Sequence, residues 1–422
     1  TIVTRTPYDK YSELTIEEGI HRAQQGYAVV TQDVRGRYES QGKFYPMRNE
    51  VSDGTDCIDW VSQQPWCNGM IGTVGGSYVG LTQWQAAQNS SKIVCSVPQV
   101  AYSNLYHNWV YTGGAFQLAF NTSWGIATAS RGHQRQYLSL PDEISQTTLF
   151  RHLPLSTIDE RSGRKIPHLR DWINHPSYDD YWKEMRPIED HYQNVEMAAY
   201  HMGGWFDVFL QGGLNNFMGV SVEGKTERAR KGQKIIIGPW IHSLGDNGTS
   251  TKTGDVDFGE TSLIDLEAEK TRWYDYWLKG IQNGIMDEPR IKLFVMGSNR
   301  WRESEDWPLP ETEYTPYYFD SRGNANSVFG DGSLVLNYSE SSKPDQYIYD
   351  PEHPVMTIGG STCCADTTVA ASLGPQDQRP NEYRPDVLVY TTTPLEHDLE
   401  VTGPVRVVLY AATNVRDTDF TA

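Results

Sequence analysis

From Thr1 to about Val100, short apolar runs alternate with longer segments of helical spacing. "TIVTRT" and "YAVVTQD" read as strands, and "TIEEGIHRAQQG" between them has a helical pattern closed by Gly26. "DGTDCIDWVSQQ" reads as a helix, "MIGTV" as a strand, "LTQWQAAQ" as a helix and "IVCSVPQV" as a strand. This alternation predicts a parallel sheet with crossover helices. Between Ala101 and Glu196 it gives way to Trp-, Tyr- and His-rich segments of helical character without clear strands, which predicts an inserted helical cap. It resumes with "MAAYHMGGWFD", the helix-like "VFLQGGLNNFMGV", the strand "QKIIIGPW" and the helical "IDLEAEKTRWYDYWLKG". From Pro289, "RIKLFVMG", "YTPYYFD", "SLVLNY", "VLVYTT", "LEVTG" and "VRVVLYAAT" are short alternating runs between Gly, Pro, Asn and Asp turns, the pattern of a β-sandwich or jelly roll. The expected organisation is an α/β domain over residues 1–100 and 197–288, a cap over 101–196 and an all-β domain over 289–422, the last unfinished at "DTDFTA".

At 422 residues the chain is long enough for two or three domains with their own cores. A net charge of −18 argues against a nucleic-acid partner, which needs clustered Lys and Arg. No apolar run reaches membrane-span length. The start lacks the pattern of a signal peptide and reads as a strand already under way. The chain is therefore expected to begin after its natural N-terminus, which leaves the compartment open between cytoplasmic and exported. The five cysteines, Cys57, Cys67, Cys95, Cys363 and Cys364, match no zinc spacing. Reduced, partly buried thiols are expected, with a Cys57–Cys67 disulfide as the alternative; a bond between the adjacent Cys363 and Cys364 would be strained. Asp53, Asp56 and Asp59 recur every three residues without an EF-hand loop, so they are expected to favour a helix N-terminus rather than to bind calcium. No metal or organic cofactor is expected. Aromatic residues at 12% suit a deep apolar pocket or aromatic-rich sandwich layers.

The chemistry concentrates at "IGTVGGSYVG". A strand leading into Gly75-Gly76-Ser77 and a helix leading out place Ser77 on a sharp turn, its hydroxyl lifted clear of the sheet. The glycines keep Cβ atoms out of the crowded space around it. The pattern, G-x-S-x-x-G, is one residue off the commonest form of such an elbow. In parallel α/β sheets functional side chains lie beyond the C-terminal ends of strands. Asp207 follows "AAYHMGGWF" there and His242 follows "KIIIGPWI". A lone His after a strand more often packs, and an Asp at a strand end often caps a helix. Ser, Asp and His at three strand ends, in the chain order of α/β-hydrolases, outweigh those readings. Serine is a poor nucleophile at neutral pH, so an imidazole must take its proton and a buried carboxylate must fix the tautomer. His201, inside the run before Asp207, is expected to point into the sheet. For the oxyanion, the Tyr78 N–H is one candidate donor and the Tyr8 hydroxyl, just beyond "TIVTRT", the other, with Pro7 helping to aim the loop.

These segments resemble a known family. "TRTPYDKY", "GYAVVTQDVRGRYESQGKF", "DGTDCIDWVSQQPWCNGMIGTVGGSYVGLTQWQAA", "GGWFDVF", "IIGPWIHS", "FVMGSNRWRESEDWP" and "LEVTGPVRVVLYAATNVRDTDFTA" are together similar to the CocE/NonD hydrolases, the group of cocaine esterases, X-prolyl dipeptidyl-peptidases, glutaryl-cephalosporin acylases and α-amino acid ester hydrolases. The resemblance covers nearly the whole chain, most weakly in the cap, and G-x-S-Y-x-G is this family's form of the elbow. It implies an α/β-hydrolase domain, a helical cap and a C-terminal jelly roll, in a chain lacking strands that members usually have at both ends. It also implies Ser77 as nucleophile, Asp207 as orienting acid, His242 as base, and Tyr78 N–H with Tyr8 O–H as the oxyanion hole. The expected activity is cleavage of an ester or amide acyl bond of a small substrate through an acyl-enzyme. An X-prolyl dipeptidyl-peptidase or α-amino acid ester hydrolase is the alternative. A rival of another class is an inactive hydrolase fold with a carbohydrate-binding β domain. Amino ester hydrolases of the group hold the substrate ammonium with carboxylates. Here Val79 and Gly80 after the nucleophile are neutral, and Asp179, Asp180, Glu184, Glu189 and Asp190 read as a solvated acidic face. Asp33 and Arg35 are expected to form a structural ion pair. A homo-oligomer is compatible with all of this.

Overall fold

The computed structural model describes residues 1–132, 146–363 and 373–422. Part of the expected cap, residues 133–145, and Cys364 with its expected strained bond lie outside the described residues. Eight strands form the central sheet: β1 (Ile2–Thr6), β2 (Val29–Asp33), β3 (Ile71–Gly76), β4 (Ile93–Gln99), β5 (Ala198–Phe206), β6 (Gln233–Ile241), β7 (Ile291–Val295) and β8 (Arg300–Ser304). Their order across the sheet is β8-β7-β6-β5-β4-β3-β1-β2. All neighbours pair in parallel except β7 with β8. Every residue of β4, and every residue of β6 except Ile241, is buried, because helices cover both faces and leave no polar side to alternate with.

On one face lie α2 (Glu50–Ser62) and α3 (Tyr78–Ala87); all ten α3 residues are buried. On the other lies α7 (Leu266–Lys279), its Trp273, Tyr274 and Leu278 clustered with Val74, Cys95 and Tyr200. Asp265 caps α7 by accepting from the Ala268 N–H at 2.9 Å, and Gly280 ends it at φ +72°. The buried Arg22 of α1 (Glu13–Gln24) fastens that helix to α7 through Glu267 at 2.6 Å and Thr271 at 3.1 Å. A third cluster packs Leu214 and Phe217 of α6 (Leu210–Glu223) on Ile235, Ile237 and Leu293.

The inserted segment holds α4 (Leu118–Thr128) and α5 (Pro167–Asn174), with Pro167 in the first turn where its missing N–H costs nothing. It also holds a small hairpin that the periodicity did not announce, Tyr111–Thr112 against Ala115–Phe116. Gly113 and Gly114, at φ +63° and +92°, supply the two positive angles such a two-residue turn needs.

The structure departs from the sequence expectations at several points. "RIKLFVMG" and the following "NRWRES" join the central sheet as β7 and β8, β7 finding the free edge of β6. Beyond them, β9 (Tyr318–Asp320) and β10 (Ser333–Val335) make an antiparallel ribbon; Thr391 bridges Ser333 of β10, and Leu388 bridges Asn326 in the connection between the two strands. "LEVTG" and "VRVVLYAAT" form no strand among the described residues and are largely exposed, since alternation creates a ladder only where a partner edge meets it. Arg35 pairs with Asp53 rather than Asp33, whose carboxylate accepts from the Lys10 N–H at 2.8 Å. Of the three-residue series only Asp53 lies in the first turn of α2; Asp59, near its other end, pairs with Lys92 at 2.7 Å. Cys57, Cys67 and Cys95 are free thiols, the first and third buried, while Cys363 is disulfide-bonded.

Candidate active site

Ser77 stands between β3 and α3 at φ +61° and ψ −127°, a left-handed conformation that costs a non-glycine residue about 1–3 kcal/mol. The turn is pinned on all sides. The Ser77 N–H donates to Gln99 O of β4 at 3.0 Å, and the Ser77 carbonyl accepts from the Leu81 N–H at 3.0 Å. Gln83 donates from Nε2 to Gly75 O at 2.9 Å and accepts from Thr73 Oγ1 at 3.0 Å. Gly80 is glycine for want of room: a Cβ there would meet Ala101 Cβ at 2.8 Å and Gln99 O at 2.9 Å. That close helix-to-strand approach accounts for the spacing of the second glycine.

Beneath the turn, Tyr78 is fully buried and donates its hydroxyl to Glu50 Oε1 at 2.9 Å while accepting from the Met47 N–H at 3.1 Å. Burial, followed by the nearby Glu50 charge, holds this phenol protonated well above its usual range. Arg5 of β1 balances Glu50: Nη2 lies 2.9 Å from Oε2, a charge contact bent away from hydrogen-bond geometry, and Nη1 donates to Glu50 O at 3.3 Å. The Tyr78 N–H, in the first turn of α3, has no intrahelical partner and points out of the helix end.

Sheet topology brings Asp207 and His242 to the same edge. β5 and β6 are neighbours, with Phe206 in register with Ile241, so the residues that follow each strand emerge side by side. His242 Nδ1 lies 2.7 Å from Asp207 Oδ1. The Asp207 carboxylate is buried, and its Oδ2 has no hydrogen-bond partner among the described residues. The imidazole keeps modest exposure and meets the Phe209 ring edge-on at 5.3 Å. His201, as expected, is inside the sheet, with Nε2 3.0 Å from Gln233 Oε1 and its ring stacked on Trp84.

Tyr8 follows β1, its ring edge-on to that of Tyr78 at 6.4 Å, and its hydroxyl accepts from Trp124 Nε1 at 3.0 Å. Trp124 stacks on Tyr78 at 6.0 Å and meets Trp109 edge-on at 4.8 Å; Trp109 in turn packs on Phe120 and Phe209. An aromatic wall thus runs from Tyr8 to His242. Sequence reasoning named Tyr8 and Tyr78 but missed Trp124, Phe209 and Glu50. The signal for them was three-dimensional, since nothing in the spacing of a Trp-rich cap says which indole meets which phenol.

The cap carboxylates divide. Asp180 and Glu184 are exposed and pair with Lys183 at 3.0 Å and Arg48 at 3.6 Å. Asp179 is 2.7 Å from His175. Glu189 turns inward, accepting from Ser103 Oγ at 2.9 Å and Asn104 Nδ2 at 2.6 Å in the loop after β4. Directly beyond Asp207 the chain presents Val208, Phe209 and Leu210. Among the described residues no group of His, Cys, Asp and Glu could hold a metal ion, and no helix is long and apolar enough to cross a membrane.

Residues 1–244 match the X-Pro dipeptidyl-peptidase (S15) family, more than half of the chain. The chain belongs to that family. Residues 283–422 match the X-Pro dipeptidyl-peptidase C-terminal non-catalytic domain. The cocaine esterase of Rhodococcus sp. (strain MB1 Bresler) is 32% identical over all of this chain and 74% of its own length, which places the chain among the CocE/NonD serine hydrolases. The solved structure of an aminopeptidase from a marine sediment Thaumarchaeota archaeon covers 93% of this chain and 67% of its own at a TM-score of 0.74 and 23% identity. A selenomethionine-labelled α-amino acid ester hydrolase covers 95% and 69% at a TM-score of 0.73 and 22% identity. At those identities the two structures speak for the shared α/β-hydrolase fold alone. As an S15-family member related to a cocaine esterase, the chain is a serine hydrolase of ester or amide bonds.

Proposed function

We propose that the hydrolysis runs through Ser77, His242 and Asp207, with Tyr8 and Tyr78 at the oxyanion. The observation that carries this reading is the 2.7 Å contact of His242 Nδ1 with the buried Asp207, at the sheet edge where Ser77 holds its strained turn. A carboxylate at Nδ1 keeps the proton there and frees Nε2 to accept one from Ser77 Oγ. Ser77 Oγ attacks the acyl carbonyl; His242 takes its proton and passes it to the leaving oxygen or nitrogen as the tetrahedral intermediate collapses to an acyl-Ser77 ester. Water, deprotonated by the same imidazole, then releases the acid and restores the serine. The negative oxygen formed in each half faces the Tyr78 N–H and Tyr8 O–H, donors fixed in advance by α3 and by the aromatic wall.

We further propose that residues 101–196 form the cap, with Trp109 and Phe120 facing the acyl group. With Phe209 against His242 and no carboxylate directly beyond Asp207, the site favours an apolar, uncharged acyl group over an α-ammonium one. Asp207→Asn tests the assignment. It is expected to lower kcat for a 4-nitrophenyl ester about 10⁴-fold with the fold intact; full activity in that variant would remove Asp207 from the mechanism. Benzoyl esters should outperform aminoacyl esters of the same alcohol, and the reverse preference would favour the aminopeptidase or amino ester hydrolase reading.

A further inference from the structure

Tyr8 donates its only phenolic hydrogen to the oxyanion in the reaction above, so something else must decide where that hydrogen points. Trp124 Nε1–H occupies an acceptor position of the Tyr8 oxygen at 3.0 Å, and the indole is buried, so water does not compete for it. An indole N–H only donates, so the hydroxyl is the acceptor in this bond and its own hydrogen is not used in it. A hydroxyl that accepts a hydrogen bond also becomes a stronger donor.

The two partners belong to segments far apart in sequence, and a single side chain ties both. The Arg37 guanidinium is fully buried; Nε donates to Pro7 O, the residue before Tyr8, at 2.8 Å. Its Nη1 donates to Thr128 O, at the end of α4 one turn beyond Trp124, at 2.9 Å, and to Ser130 O. Thr128 Oγ1 in turn donates to Trp124 O at 2.8 Å. A cation at the C-terminus of α4 also meets the negative end of the helix dipole. Phe44, under the guanidinium at 5.3 Å, packs against both Tyr78 and Trp124 and completes the floor.

We propose that Trp124 is a positioning residue for oxyanion stabilisation, aiming and polarising the Tyr8 hydroxyl across a separation that Arg37 fixes by clamping the Pro7 carbonyl to the end of α4. This rests on Tyr8 being an oxyanion donor, and the test separates the two claims. kcat and KM for a 4-nitrophenyl ester are measured on the full chain and on Tyr8→Phe, Trp124→Phe and the double variant. Tyr8→Phe should lower kcat about 10²-fold or more. Trp124→Phe keeps a ring against Tyr78 and removes the N–H, and should lower kcat about five- to tenfold with KM changed less than twofold. The double variant should match Tyr8→Phe, because the indole acts only through that hydroxyl. If Tyr8→Phe leaves kcat unchanged, the oxyanion reading itself fails. If Tyr8→Phe is impaired but Trp124→Phe is not, or if Trp124→Phe costs the same factor with or without the Tyr8 hydroxyl, the indole is merely packing and the inference is overturned. Should Trp124→Phe fold poorly, benzothienylalanine at 124 replaces the N–H by sulfur at nearly constant shape, with the same outcomes deciding. Arg37→Lys, able to reach fewer carbonyls, should fall between full activity and Trp124→Phe in kcat; a drop in stability with kcat untouched would remove Arg37 from the clamp.

Discussion

The nucleophile turn and the segment after Glu400 both include apolar runs that the sequence marks as strands, yet the first is held by contacts on several sides and the second stands largely exposed. At Ser77 a disfavoured backbone conformation is held by β4, by Gln83 and by a buried Arg5–Glu50–Tyr78 network. In "VRVVLYAAT" Val405, Leu409 and Tyr410 stand exposed, with Tyr410 at 99%. Apolar residues at the right period state only that a segment can be buried. Whether it is depends on a complementary surface arriving, and strain of the kind at Ser77 persists only where the surroundings impose it.

That contrast can be broken or sharpened by substitution, and the largest effect is expected under the turn. Glu50→Ala leaves the Arg5 guanidinium buried without its carboxylate and strips the Tyr78 hydroxyl of its acceptor; the urea midpoint should fall by the equivalent of about 3–5 kcal/mol. A loss below 1 kcal/mol would show that the network is not what holds the turn. Gly80→Ala forces a Cβ toward Ala101 and Gln99 O and should cost about 1–3 kcal/mol, with kcat reduced because the Tyr78 N–H shifts with α3.

A pH effect follows from two buried histidines on the packed side of the contrast. Burial, with some help from the Arg37 charge, depresses His168 to about 3, and burial depresses His201 to about 4. The unfolded chain binds these protons near pH 6.5 while the folded protein does not, so stability is fully present above that pH and falls as the pH drops through the window down to about 4. Each group contributes a slope of about 1.4 kcal/mol per pH unit. Denaturation series from pH 7 to pH 4.5 on the parent and on His201→Gln should show a shallower slope in the variant; equal slopes would mean His201 is not buried neutral. The smallest effect belongs to the exposed segment, where Tyr410→Ser should change stability by no more than about 0.5 kcal/mol.

Much of this was legible from the residues. The alternation of runs gave the strands of the sheet through β6, and Ser77, Asp207 and His242 were singled out by residue type, chain order and position at strand ends, the assignment on which the proposed mechanism rests. The β5–β6 pairing then brought Asp207 and His242 into contact. What was not legible was which partner a segment meets: the pattern of "RIKLFVMG" does not say that β7 will join the edge of β6, and "NRWRES" was not read as a strand at all. Arg35 was paired with the nearest acid in sequence instead of Asp53, eighteen residues on, in a helix that folds back over it. Trp124 and Arg37 were invisible because their roles arise from loops meeting across the fold.

The central claim is that Ser77 is an activated nucleophile, and reaction with a fluorophosphonate followed by intact-mass measurement tests it most directly. The parent chain should gain the mass of a single phosphonyl adduct and Ser77→Ala, folded to the same degree, none. A folded parent that gains no adduct, or an adduct that survives the substitution, would contradict the account.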